Sequence, residues 1–117
     1  MKLETIRIMK YTKEFLLKLQ QDITEAIGEV MDKFNNEIST EEDWGTCNFD
    51  TPHIFLPGMR STTAAKVGLR PFYGGGFAFK DLHLQGQAQW RTSMAEAMQR
   101  AMRQRGYEKC YVHYVMD

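Results

Sequence analysis

From Thr12 onward, apolar residues recur at the three-to-four spacing of one helix face: Leu16, Leu19, Ile23, Ala26 and Val30. Ile27, Met31, Phe34 and Ile38 continue the stripe as it drifts round the axis. Thr12 is placed to cap the first turn, and Glu14 meets the positive end of the helix dipole. A helix from here to about Asn36 would be roughly 37 Å long at about 1.5 Å per residue. That is longer than the body of a small domain needs, and its apolar face is wide. It must either lie across its own sheet or share that face with a neighbouring chain.

The 117 residues fit one domain, 1–117, with 1–10 a tail, an early helical turn or a short strand. At 43% hydrophobic and 26% charged the chain can build a core. A domain this small buries only about two-thirds of its unfolded surface, so an oligomer would add useful burial. Net charge is zero, which removes the global basic field of a general nucleic-acid binder. The charge is nevertheless split. Residues 1–50 carry a balance of −5 and residues 51–109 a balance of +6. Such asymmetry suits an anionic ligand on the second half, or association of unlike surfaces. Cys47 and Cys110 form no CxxC and no disulfide framework, which fits reduced thiols in a cytoplasmic protein. No apolar run approaches the roughly 20 residues of a membrane span, and the N-terminus lacks a signal-peptide apolar core.

After an acidic connection at 37–46, residues 46–56 read as a strand. Pro52 removes a ladder donor, so an edge position or a bulge is expected. Pro57-Gly58 is a turn, and residues 63–69 form a short helix or strand. Gly74-Gly75-Gly76 marks a tight turn or close backbone approach. Phe77-Ala78-Phe79 and Leu82-His83-Leu84 alternate with a phase slip, which suggests a bulge at Lys80-Asp81. Ser93-Met94-Ala95-Glu96 reads as a capping box that opens a late amphipathic helix. Met94, Ala97, Met98, Ala101 and Met102 form its apolar stripe, and Gly106 is placed to end it. Lys109 to Met116 alternates as a strand, with Cys110, Val112 and Tyr114 on one face and Tyr111, His113 and Val115 on the other. Both faces are largely apolar, so a central position is expected. The order predicts an α+β fold: a long N-terminal helix, a small antiparallel-rich sheet, and a late amphipathic helix followed by a central C-terminal strand.

Chemistry is sparse. There is no GxSxG, HExxH or Cys–His motif, so no catalytic residue and no cofactor is assigned. His53, His83 and His113 have no short-range metal spacing, so no metal site is assigned. The late helix offers the richest group. Arg100, Arg103 and Arg91 carry forked donors suited to phosphate. Gln87, Gln89 and Trp90 precede the expected cap, where amides can read a base edge and an indole can stack. The helix start at Ser93 offers free amides to an anion. Tyr73, Phe77 and Phe79, beside the triple glycine, are further stacking candidates, or simply core.

Three stretches resemble pieces of small phage-borne proteins: Gly45-Thr-Cys-Asn-Phe-Asp-Thr-Pro52, residues 86–98, and Tyr111-Val-His-Tyr-Val-Met-Asp117. In size and order the chain is similar to the first described Thoeris anti-defence sponge proteins. That resemblance implies a cytoplasmic, homo-oligomeric, non-enzymatic protein. It would sequester a cyclic ADP-ribose-type signal or a cyclic oligonucleotide in a pocket between subunits, with neither membrane nor nucleic acid as partner. The alternative is a phage or mobile-element inhibitor or adaptor that docks on a protein through its acidic helix and loop.

Overall fold

The computed structural model describes residues 11–36, 49–84 and 88–115. The elements are α1 (Lys13–Asn36), β1 (Thr51–Ile54), α2 (Ser61–Lys66), β2 (Leu69–Pro71), β3 (Phe77–Phe79), α3 (Ala88–Gln104) and β4 (Cys110–His113). The fold is α+β in the order expected. Readings made for residues 1–10, for 37–48 including Cys47, for Gln85 to Gln87 and for Met116-Asp117 lie outside the described residues.

The cap on α1 forms: the Phe15 amide donates to Thr12 Oγ1 at 3.0 Å. The stripe then does what its spacing dictates. Leu19, Ile23, Ala26, Val30 and Phe34 are buried, with Leu16, Ile27 and Met31 packed partly buried beside them. Their main partner is α3, whose Met94, Met98, Ala101 and Met102 are buried on the facing side. Polar bonds fix the pair at its rim. The Arg105 guanidinium donates to Glu29 at 2.9 Å, and the Tyr107 hydroxyl donates to Asp22 at 2.6 Å. Among the described residues no helix is long and apolar enough to cross a membrane.

The four strands lie in the order β2-β3-β1-β4, every neighbour antiparallel. A strand–helix–strand–strand–helix–strand run in this order is the split βαβ, or ferredoxin-like, arrangement. Here α2 is only six residues long, too short to cover half a sheet. The long α1 supplies the second substantial helix of the layer.

Four readings are corrected. First, β1 is interior, although Pro52 suggested an edge or a bulge. The Phe49 and Phe55 amides donate to Val115 and Lys109, so the odd-numbered residues of this stretch turn their main chain to β4. Pro52 therefore turns its missing donor towards β3, where pairing already ends at His53. Second, β4 stands at one end of the order and pairs with β1 along its length, where a central position was expected. Third, α3 begins at Ala88, so Ser93 is an interior residue and the capping box does not form. Trp90 packs edge-on against Phe34, ring centroids 5.1 Å apart, and is drawn into the helix with it. Leu82 to Leu84 is not a strand, and the phase slip at Lys80-Asp81 is a turn. The far end of α3 closes as read. Gly106 has φ of 102°, its amide donates to Arg103 O, and the Tyr107 amide reaches back to Met102 O.

At the head of β1, Asp50 is 1% exposed. Its carboxylate accepts from the Thr92 hydroxyl of α3 at 2.6 Å and from the Val115 amide, just past β4, at 2.7 Å. Its carbonyl accepts from Arg91 Nε at 2.9 Å. Asp50→Ala strands a buried hydroxyl and an amide, and should cost about 3 kcal/mol in urea unfolding, with Asp50→Asn intermediate. A second carboxylate makes a pH-dependent contribution. Partial burial works to raise the Asp22 pKa, but hydrogen bonds from Lys18 and Tyr107 outweigh it and hold the carboxyl below its ordinary value. A depressed folded-state pKa adds stability above the unfolded-state value, and this is lost as pH falls through the folded one. Asp22→Asn should therefore flatten the loss of stability measured below about pH 5.

Candidate functional site

Alternation along the strands sorts their side chains onto two faces. Ile54, Leu69, Phe77, Phe79, Cys110 and Val112 turn towards the helices and are buried. The opposite face carries Arg70, Ala78, His53 and Tyr111 in one row across four strands. Thr51 and His113 form the neighbouring row. Among the described residues no long helix covers this face. It is filled by aromatic and imidazole rings.

His53 is its centre. Its ring lies 5.0 Å from Phe55, 5.0 Å from Phe72 and 5.9 Å from His113, centroid to centroid. Tyr73 adds edge-on contact to His113 at 5.4 Å, and Phe55 meets Tyr111 at 5.9 Å. His53 is 4% exposed and Phe72 8%, so these two form the floor. Tyr73 at 76% and Tyr111 at 43% stand open to solvent. Phe49, 46% exposed, falls on the same face by strand alternation, since Asp50 turns inward.

The triple glycine holds this arrangement. His53 Nδ1 lies 2.7 Å from Gly75 O, and since a carbonyl only accepts, Nδ1 is the donor. A methyl group on Gly74 would sit 2.6 Å from Phe72 and 2.9 Å from His113 Nδ1. Gly76 has φ of 66°, and a Cβ there would run into the carbonyl of Ile54. The β2–β3 turn lies against the sheet because three side chains are missing from it.

Cations flank the rings. Arg91 donates to Asp50 O, and its Nη2 reaches Thr51 Oγ1 at 3.4 Å. Burial lowers the Arg91 pKa and Asp50 opposes the shift, so it remains a cation at neutral pH. Arg103 donates Nε to Cys110 O at 2.9 Å and sets its guanidinium 5.2 Å from the Tyr111 ring centroid. Among the described residues nothing takes its Nη groups. Arg70 is exposed at the other end of the row.

The residues expected to bind ligand do not converge. Phe77 and Phe79 are buried under the helices, where core packing occupies their rings. Trp90 is spent on Phe34. Arg100 is exposed and lines a cleft of about 120 Å³ with Glu29 and Lys33, between α1 and α3. Arg91 and Arg103 are about 18 Å apart along the axis at about 1.5 Å per residue. Gln89 is exposed in the first turn, and Gln87 lies outside the described residues. The amide of Ser93 is inside the helix, which removes the expected anion site at a helix start. Cys110 is on the helix side, away from the histidines, and burial raises its thiol pKa to about 12 against the opposing pull of Arg103. Sequence reasoning passed over His53, Phe55 and Phe72. The signal available was their parity: His53 and Phe55 on one strand, Tyr111 and His113 on another.

Comparison with protein-family models, curated proteins and solved structures finds no match.

Gly76→Ala meets both a backbone wall and a positive φ, whereas Gly106→Ala has the same handedness in open space. The first should cost at least about 1 kcal/mol more than the second in urea unfolding, and alone should alter the near-ultraviolet dichroism of the tyrosines.

Proposed function

We propose that this protein binds, without turnover, an anionic nucleotide-like small molecule on the open face of its sheet, and acts by sequestering it. The observation that carries this reading is the combination of solvent-exposed Tyr73 and Tyr111 with the guanidinium groups of Arg91 and Arg103 on one surface. A ring face stacks on a base at about 1–3 kcal/mol per base, and forked cations hold phosphate. Zero net charge favours a local anion contact over a long polyanion, whose affinity depends on many phosphate neutralisations.

The ligand class is the cyclic ADP-ribose type or a cyclic oligonucleotide, in keeping with the counter-defence proteins the sequence resembles. The site is an open face and not a cleft: the cavities of about 120 and 130 Å³ beside α1 lie elsewhere. Ligand pockets usually enclose about 300–1,000 Å³, so this reading takes a second subunit as the remaining wall.

A panel of cyclic and linear nucleotides tests this by thermal shift. A ligand present at about one hundred times its Kd should stabilise the fold by about 2.7 kcal/mol. Tyr111→Ala should weaken that ligand about tenfold while leaving the apo melt within a few degrees. A flat panel removes the reading.

A further inference from the structure

The two ends of the sheet differ in how they meet water. An edge strand presents unpaired amides and carbonyls, and proteins blunt such edges with proline, charge or shortness. β2 has all three: three residues, Pro71 without a donor, and exposed Arg70. β4, four residues long, has neither proline nor a lysine, arginine or carboxylate in Cys110-Tyr111-Val112-His113. The odd residues of β4 face β1, so Cys110, Val112 and Tyr114 turn their main chain outward. Gln99 and Arg103 take the Cys110 carbonyl, and among the described residues nothing takes the amide or carbonyl of Val112.

We infer that β4 pairs antiparallel with β4 of a second copy about a two-fold axis at Val112, and that the second copy completes the binding face. Val112 then exchanges both main-chain bonds with its equivalent, and Cys110 lies opposite Tyr114 of the other copy, whose amide replaces the long 3.3 Å bond from Gln99 on the Cys110 carbonyl while Arg103 keeps its own. The register also matches charge. Within one chain, Arg103 sits at Cys110 and Glu96 accepts from the Tyr114 hydroxyl at 2.7 Å. Placing Cys110 opposite Tyr114 therefore sets Arg103 against the partner's Glu96, twice, by symmetry. On the open face the same register puts Tyr111 beside the partner's His113, as direct cross-strand neighbours about 5 Å apart at Cβ. The two ring clusters become one surface, with the Arg103–Glu96 pairs at its seam. That consequence for the ligand rests on the binding reading above, whereas the pairing stands on the edge and its charges.

Light scattering on the full chain at about 100 µM should give twice the monomer mass, a concentration at which the Kd of a specific dimer is expected to be exceeded. Val112→Pro removes an outward amide that the β1 ladder does not use, so it should be monomeric yet retain a cooperative melt. Glu96→Arg and Arg103→Glu should each weaken the dimer about tenfold, and the double exchange should restore it. A wild-type monomer overturns the inference, as does a double exchange no tighter than either single variant. A persistent dimer with a flat nucleotide panel leaves the pairing standing and removes only the binding reading. Ligand affinity unchanged in monomeric Val112→Pro overturns the partner's part in the site and leaves binding intact.

Discussion

A buried carboxylate at the head of β1 sets the relation between the sheet and its principal helix. Asp50 joins three segments distant in sequence: its own strand, the first turns of α3 through Thr92, and the end of β4 through Val115. A carboxylate in so dry a position is tolerable only where donors meet its oxygens. Those donors come from α3 and from the chain beyond β4, so helix, inner strand and edge strand are held in one register. Everything on the open face inherits that register, because a one-residue slip of β4 would turn Tyr111 and His113 inward and Cys110 out.

With the register fixed, the glycine turn decides what the open face can be. A sheet face left bare by helices would ordinarily be polar. Here Phe72 folds back over His53 and His113, and the backbone of Gly74 to Gly76 comes close enough to seal the rings from one side. The result is a floor of buried rings with tyrosines standing at its rim. Such a face is chemically uniform: flat rings bordered by guanidinium groups. Rigid rings carry little conformational entropy to lose on contact, which favours recognition by stacking.

The helical half of this fold was legible in the sequence because it is written in local terms. Thr12 and the apolar stripe to Phe34 describe α1 without reference to anything distant, and Gly106 with Tyr107 describes the end of α3 in the same way. The start of α3 was misread because a satisfactory capping box exists at Ser93, and only the distant Phe34 reveals that Trp90 belongs to the helix. The strand partners were harder still. Pro52 has opposite meanings on an edge and at the end of a ladder, and the choice depends on which neighbour its nitrogen faces. The open face suffered most. Phe77 and Phe79 were chosen for lying next to glycines, but parity buries them, and parity can be assigned to a face only after pairing is known. His53 and Tyr111 become neighbours through a register that no local spacing contains.

The charge split takes on a narrower meaning in the folded chain. One meeting of the acidic front with the basic back lies where α1 packs against α3 and the turn at Arg105 to Tyr107. Arg105 meets Glu29 and lies 4.0 Å from Glu25, while Lys18 and Tyr107 together hold Asp22. These rim pairs are mostly exposed, so they orient the helices more than they stabilise them. Two back-half arginines are instead fixed by main-chain carbonyls: Arg91 on Asp50 and Arg103 on Cys110. A carbonyl fixes the direction of a guanidinium without neutralising it. Arg91 also feels the Asp50 carboxylate, but Arg103 is held beside the Tyr111 ring with nothing among the described residues on its Nη groups. A charge left unspent at a fixed position is what a small anion needs and what a solvated lysine does not provide.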